Sequence, residues 1–262
     1  MVSIAGAVII LVGLGAYAYG VQKKAALNKP IEHPEPTTVS FSRVAYTPGV
    51  QGYLAEPTAA APDGVYPGVV MIHEWWGLNE HIERSARLLA AEGYRVLAVD
   101  LYNGKVATTP DEARTYKDEL DQTVATANLR AATAFLRTSG SKKIGAWGWC
   151  FGGGQSVQLS LSGERLNATV VYYGQLETNA ITLRKISWPV LGVFGEKDTT
   201  IPLSAVQAFR QGLTANNTPN EIYIYSGVGH AFANPSGDNF APKETEDAWK
   251  KTLKFLQLYL KS

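Results

Sequence analysis

The chain has 262 residues, of which 45% are hydrophobic and 18% charged, and it carries a formal net charge of +1 at pH 7. That length suits one catalytic domain of the larger α/β kind, with a core big enough to stand without disulfide or metal staples, and the composition excludes a disordered chain. Near-neutral charge without a block of like charges gives no sequence-independent grip on nucleic acid, and a single cysteine excludes an intrachain disulfide and clustered thiolate metal sites, so neither metal nor cofactor is expected.

Residues 1–22 contain no charged side chain, and 4–21 are nearly all apolar. At about 1.5 Å per helical residue such a run approaches the roughly 30 Å hydrocarbon thickness of a bilayer, which reads as an uncleaved membrane anchor. The rival is a cleaved signal peptide: Ala16-Tyr17-Ala18 imitates a small-residue cleavage site, but the basic segment that normally opens such a peptide is missing. Lys23 and Lys24 follow the apolar run and nothing basic precedes it, which orients the remainder toward the cytoplasm. Residues 23–38, with Pro30, Pro34 and Pro36, form a proline-rich linker, and 39–262 the catalytic domain.

Within that domain, alternation over 39–56 broken at Pro48-Gly49 predicts a hairpin. Short apolar runs at 69–72, 95–99, 144–149, 168–173, 190–194 and 221–225 predict strands, and helical spacing appears over 81–91, 111–120, 122–137, 152–161, 203–213 and 243–260. Strands alternating with helices imply a mostly parallel sheet covered on both faces and entered by an antiparallel hairpin. In such sheets the chemistry sits in loops after the carboxyl ends of strands.

Gly148-Trp149-Cys150-Phe151-Gly152 follows one of those strands and opens a helix, matching the nucleophile-elbow pattern with cysteine in place of serine. A small buried cysteine among glycines is the plainer alternative. Asp198 follows the strand 190–194 within Gly195-Glu196-Lys197-Asp198, where a turn or capping aspartate is the competing role, and His230 follows the last strand within Gly229-His230-Ala231-Phe232. Nucleophile, acid and histidine thus occur in the order the α/β-hydrolase fold requires. The loop after the strand 69–72 reads His73-Glu74-Trp75-Trp76-Gly77, and the backbone amides of Trp75 and Phe151 are the natural oxyanion-hole pair. His73 reads as a packed histidine. Glu74, placed between a buried strand and two tryptophans, is poorly sited for simple solvation.

From about residue 39 to 262 the chain resembles the dienelactone hydrolase (carboxymethylenebutenolidase) family. The carriers are His73-Glu74-Trp75-Trp76-Gly77-Leu78-Asn79, Asp100-Leu101-Tyr102, the cysteine elbow with Gly153 and Gly154, Tyr172-Tyr173-Gly174, Gly195-Glu196-Lys197-Asp198 and Gly229-His230-Ala231-Phe232. The resemblance implies an α/β-hydrolase fold and hydrolysis of a carboxylic ester or lactone. It implies Cys150 as nucleophile, His230 as base, Asp198 as the carboxylate orienting it, and Glu74 as a carboxylate that holds or deprotonates the thiol. The family's lactone hydrolases grip the substrate carboxylate with arginines, one of them four positions after the catalytic histidine, where this chain has Asn234. The other falls around 111–116, where Arg114, with Tyr116 beside it, is the candidate, while Arg84 and Arg87 read as the solvated face of a helix. A thioester hydrolase or acyltransferase could run on the same triad, and a membrane-tethered binding module on a hydrolase fold is the non-enzymatic alternative.

Overall fold

The computed structural model describes residues 34–61 and 64–262. The expected membrane segment at 1–22 and most of the linker lie outside them. Among the described residues no helix is long and apolar enough to cross a membrane.

Eight strands form one sheet, β1 (Val39–Thr47), β2 (Val50–Pro57), β3 (Gly68–Ile72), β4 (Arg95–Ala98), β5 (Ile144–Trp149), β6 (Ala168–Tyr172), β7 (Val190–Gly195) and β8 (Asn220–Tyr225), in the order β1-β2-β4-β3-β5-β6-β7-β8. The hairpin β1–β2 enters the sheet by antiparallel pairing of β2 with β4, and every later pairing is parallel. The helices are α1 (Glu80–Ala91), α2 (Pro110–Asp118), α3 (Gln122–Thr138), α4 (Phe151–Leu161), α5 (Ala180–Leu183), α6 (Leu203–Ala215) and α7 (Pro242–Leu260).

Alternate side chains of the inner strands feed two separate cores. Val70 and Ile72 of β3 pack with Leu129 and Leu136 of α3, Val157 of α4 and Phe209 of α6. Val69 and Met71 of the same strand pack on the opposite face with Leu89 of α1 and Phe255 and Leu256 of α7. A strand buried on both sides reads as a solid apolar run, which is why these strands stand out in the sequence.

The chain order reverses beside β3: β4 lies on one side of it and β5 on the other. Consequently α1, which follows β3, and α4, which follows β5, cover opposite faces, and the loops leaving the two strands part to open a crevice at their carboxyl ends. Ile72 pairs with Gly148 in the parallel register, so Glu74 and Cys150, each two residues further on, leave the sheet at the same level.

Helix starts follow local capping chemistry. Asn79 accepts from Ile82 N, Thr109 and Glu112 form a capping box ahead of Pro110, and Asp121 accepts from Thr123 N and Val124 N.

Three sequence expectations need correction. The strand over 168–173 ends at Tyr172, because Tyr173 takes a left-handed backbone (φ 36°). The four-residue α5 carries no helical period long enough to be seen. Arg87 is not on a solvated face: it is buried, with its guanidinium donating to Glu35, Glu80 and the Tyr53 hydroxyl, while Arg84 also pairs with Glu35. A long side chain can bury its stem and still satisfy its head through a carboxylate brought from the linker, a contact that helix periodicity does not reveal.

Candidate active site

The elbow between β5 and α4 leaves no room for side chains beside the cysteine. A Cβ on Gly148 would stand 2.1 Å from the carbonyl oxygen of Gly152, and one on Gly152 would stand 2.3 Å from the carbonyl oxygen of Ile72. Cys150 itself adopts φ 52° and ψ −117°, a conformation that non-glycine residues hold only when their surroundings force it. Its amide donates to Tyr172 O at 2.9 Å, fixing it to β6. The result lifts a half-buried Sγ to the N-terminus of α4, whose first amides have no partner within the helix.

His230 arrives from the loop after β8. Its Nε2 lies 3.1 Å from Cys150 Sγ and its Nδ1 2.8 Å from Asp198 Oδ2. The other oxygen of Asp198 accepts from Thr200 N at 2.8 Å and Ile201 N at 2.9 Å, and its side chain is fully buried. The loops bearing Asp198 and His230 are tied together as well, since Lys197 N donates to Val228 O and Glu196 N to Tyr225 O. Tyr173 packs its buried ring against the imidazole, with centroids 5.3 Å apart.

Glu74 is 2% exposed, and its Oε2 accepts from the Asn234 amide nitrogen. Asn234 is buried too and its Oδ1 accepts from Ser236 N at 2.9 Å, so the orientation of its amide is set at both ends. His73 braces the loop from below: Leu101 N donates to its Nε2 at 3.2 Å, which leaves Nδ1 to donate to Glu74 O at 2.6 Å. Burial holds this imidazole below its ordinary pKa, keeping it a neutral strut.

Cys150, His230, Glu74 and Asn234 line one cleft of about 900 Å³, together with Trp75, Trp76, Phe151, Tyr173 and the glutamines 122, 155, 158 and 175. Of the residues expected in the site, Cys150, His230, Asp198, Glu74, Trp75, Phe151 and Asn234 come together. Arg114 and Tyr116 do not. Arg114 is 63% exposed and pairs with Asp111 on the outside of α2, and Tyr116 lines a neighbouring cavity with Lys105 above its ring. On α2 only Ala113 is buried, and it is Pro110 and Lys117 that reach the cleft, a choice of side chains that a loose match of sequence could not fix. The glutamine wall and Tyr173 were missed: the glutamines lie on helices and loops where polar side chains are ordinary, and Tyr173 was visible only as part of Tyr172-Tyr173-Gly174.

A mostly parallel sheet with a strained cysteine after β5, a buried aspartate after β7 and a histidine after β8 fits the α/β-hydrolase class. A sequence profile of the dienelactone hydrolase family matches residues 50–260, and the chain belongs to that family of ester and lactone hydrolases. It is 31% identical over 226 residues to "Protein usf" of Aquifex pyrophilus, covering 80% of this chain and 94% of that one. It is also 29% identical over 228 residues to the Aquifex aeolicus (strain VF5) protein named "Putative carboxymethylenebutenolidase", covering 81% and 94%. The solved structure named "m3DLH" superposes with a TM-score of 0.76 at 25% identity, covering 85% of this chain and 99% of that one.

Two groups in the cleft titrate far from their usual ranges. Burial pushes Glu74 up to about 7, against weaker pulls from His230 and the Asn234 amide. For His230 burial works against the imidazolium, but the hydrogen bonds and charges of Asp198 and Cys150 outweigh it and raise the pKa to about 10. Both groups bind a proton more tightly folded than unfolded, so both contribute stability at low pH that is lost as pH rises. The loss runs from about 4.5 to 7 for Glu74 and from about 6.5 to 10 for His230. At about 1.4 kcal/mol per pH unit the Glu74 share is on the order of 3 kcal/mol. Calorimetry should therefore show Tm falling between pH 4.5 and 7 in the wild type and a flatter profile in Glu74→Gln. The same variant should lose the inflection near pH 7 in kcat/KM for an aryl acetate. Unchanged profiles would assign the titration to another group.

Proposed function

We propose that the protein cleaves a carboxylic ester or lactone through an acyl-enzyme on Cys150. The observation that supports this most directly is the unbroken chain of contacts from Sγ through the imidazole to the buried Asp198 carboxylate. In this reading His230 Nε2 takes the thiol proton, and the thiolate adds to the carbonyl carbon. The resulting oxyanion is held by the amides of Trp75 and Phe151. Collapse breaks the carbon–oxygen ester bond, and the leaving alkoxide takes the proton from His230; in a lactone it stays tethered to the acyl group. Water then gives a proton to His230 and adds to the thioester, and a second collapse returns the thiol and releases the acid. Asp198 keeps the imidazole in the tautomer and orientation both halves need. Glu74 controls the charge beside the thiol: neutral it leaves the thiolate undisturbed, ionised it opposes it.

Stoichiometric labelling with iodoacetamide should abolish aryl-ester hydrolysis, and Cys150→Ser should retain at most about a hundredth of the turnover, within the usual range for disabling the nucleophile and its proton transfer. Full activity after labelling would contradict the assignment.

We propose further that residues 1–22 anchor this enzyme in a membrane with the catalytic domain on the cytoplasmic side, a reading supported by the length of the uncharged run and by Lys23 and Lys24 after it. The full chain should then stay with membranes through carbonate extraction, whereas a chain beginning at Pro34, which keeps the Glu35 contacts with Arg87, should be soluble and equally active. A mature amino terminus near Tyr19 in native cells would show a cleaved signal instead.

A further inference from the structure

Resting on that hydrolase reading, we propose that the acyl cleft selects an uncharged, hydrogen-bonding substrate over a carboxylate-bearing one, and that Asn234 sets this preference. In the cleft wall, facing the same space as Cys150 and His230, stands a neutral amide, that of Asn234, committed to Glu74 and Ser236 N. An asparagine amide has two N–H donors; one serves Glu74, and the other can meet a carbonyl or hydroxyl of a ligand without neutralising charge.

The remaining lining points the same way. Among the described residues that line the cleft, Lys117 is the one lysine or arginine, and its ammonium lies 3.1 Å from Asp118 Oδ1 on a half-exposed side chain at the rim. Arg114, the other candidate cation, points outward to Asp111. Against these stand the carboxyl groups of Glu74 and Asp238 in the lining and Asp198 directly behind His230. The Cys150–His230 pair adds no net charge whichever of the two atoms holds the shared proton, so the carboxyl groups leave the cleft with an excess of negative charge that grows when Glu74 ionises. An anionic acyl group would enter against that field and give up its hydration without an ion partner, and a low-dielectric cleft strengthens the penalty.

What the cleft supplies in quantity is amide groups. Gln122 and Gln155 exchange hydrogen bonds of 2.9 and 2.8 Å with each other, and Gln158 and Gln175 line the same cleft, as do Trp75 and Trp76. Gln122 also donates to the Thr126 hydroxyl at 3.2 Å, so its amide keeps a free acceptor position while that of Gln155 keeps one N–H and one acceptor position, and both are neutral. An ester bearing hydroxyl or carboxamide groups fits this surface.

The test is a matched pair of aryl esters whose acyl chains differ at the tip, one ending in a carboxamide and the other in a carboxylate, assayed at pH 8. The carboxamide ester should show at least a tenfold higher kcat/KM, and Asn234→Arg should narrow or invert the ratio, chiefly through KM for the carboxylate ester. Equal or better hydrolysis of the carboxylate ester by the wild type would overturn the proposal. A second measurement removes the dependence on turnover and on the variant: calorimetric titration of the wild type with two non-cleavable ketones of the same shapes, where the carboxamide ketone should bind at least tenfold tighter. Equal or tighter binding of the carboxylate ketone would overturn the proposal, whereas cleavage of neither ester alongside a clear binding preference would contradict the hydrolase reading and leave the selectivity standing.

Discussion

The backbone of Cys150 is held in a left-handed conformation by its neighbours, and the site's geometry follows from that constraint. With Gly148 pressed against Gly152, and Gly152 pressed against the ends of β3, the chain has no space for an ordinary strand-to-helix turn. Strain at such a residue costs on the order of 1–3 kcal/mol. The bond from Cys150 N to β6 and the close packing of α4 on the sheet offset it. Because α4 sits this near the sheet, its amino-terminal amides and the β3 loop face the same small volume, and Sγ projects between them toward the imidazole.

Two buried carboxyl groups then divide the electrostatic work. Asp198 receives two backbone N–H groups and the Nδ1 of His230, so its charge is fully solvated by the protein. The carboxyl group of Glu74 has a side-chain amide as its only hydrogen-bond donor among the described residues, and burial therefore favours its neutral form. In the proposed reaction one carboxylate stabilises the imidazolium and the other answers to pH and to whatever occupies the cleft. Separation of this kind between two acids is how a single fold assigns them different roles.

The order of elements was legible because strands buried on both faces leave solid apolar runs, and the elbow was legible because its sterics admit little besides glycine around the nucleophile. Asp198 and His230 could be placed because each closes a strand that was itself visible. Glu74 stood out as a charge in apolar surroundings, but its partner did not: a contact between residues 74 and 234 joins two loops across the crevice, and nothing in local pattern announces it. Arg87 escaped for the same reason, its carboxylate partner Glu35 lying far away in the chain. Arg114 shows the opposite failure, where a residue of the right type at about the right position lies exposed and paired with Asp111 instead of entering the cleft. Side-chain direction on a helix depends on tertiary packing, which resemblance alone does not carry.

The central claim is that Cys150 carries the acyl group during turnover, and rapid acid quench followed by peptide mapping by mass spectrometry reads it directly. Wild-type protein mixed with an activated aryl ester should show, within the first turnover, the acyl mass on the peptide containing Cys150 and nowhere else, decaying as free acid appears. Hydrolysis that proceeds with no acylated peptide, or with the acyl group on another residue, would contradict it.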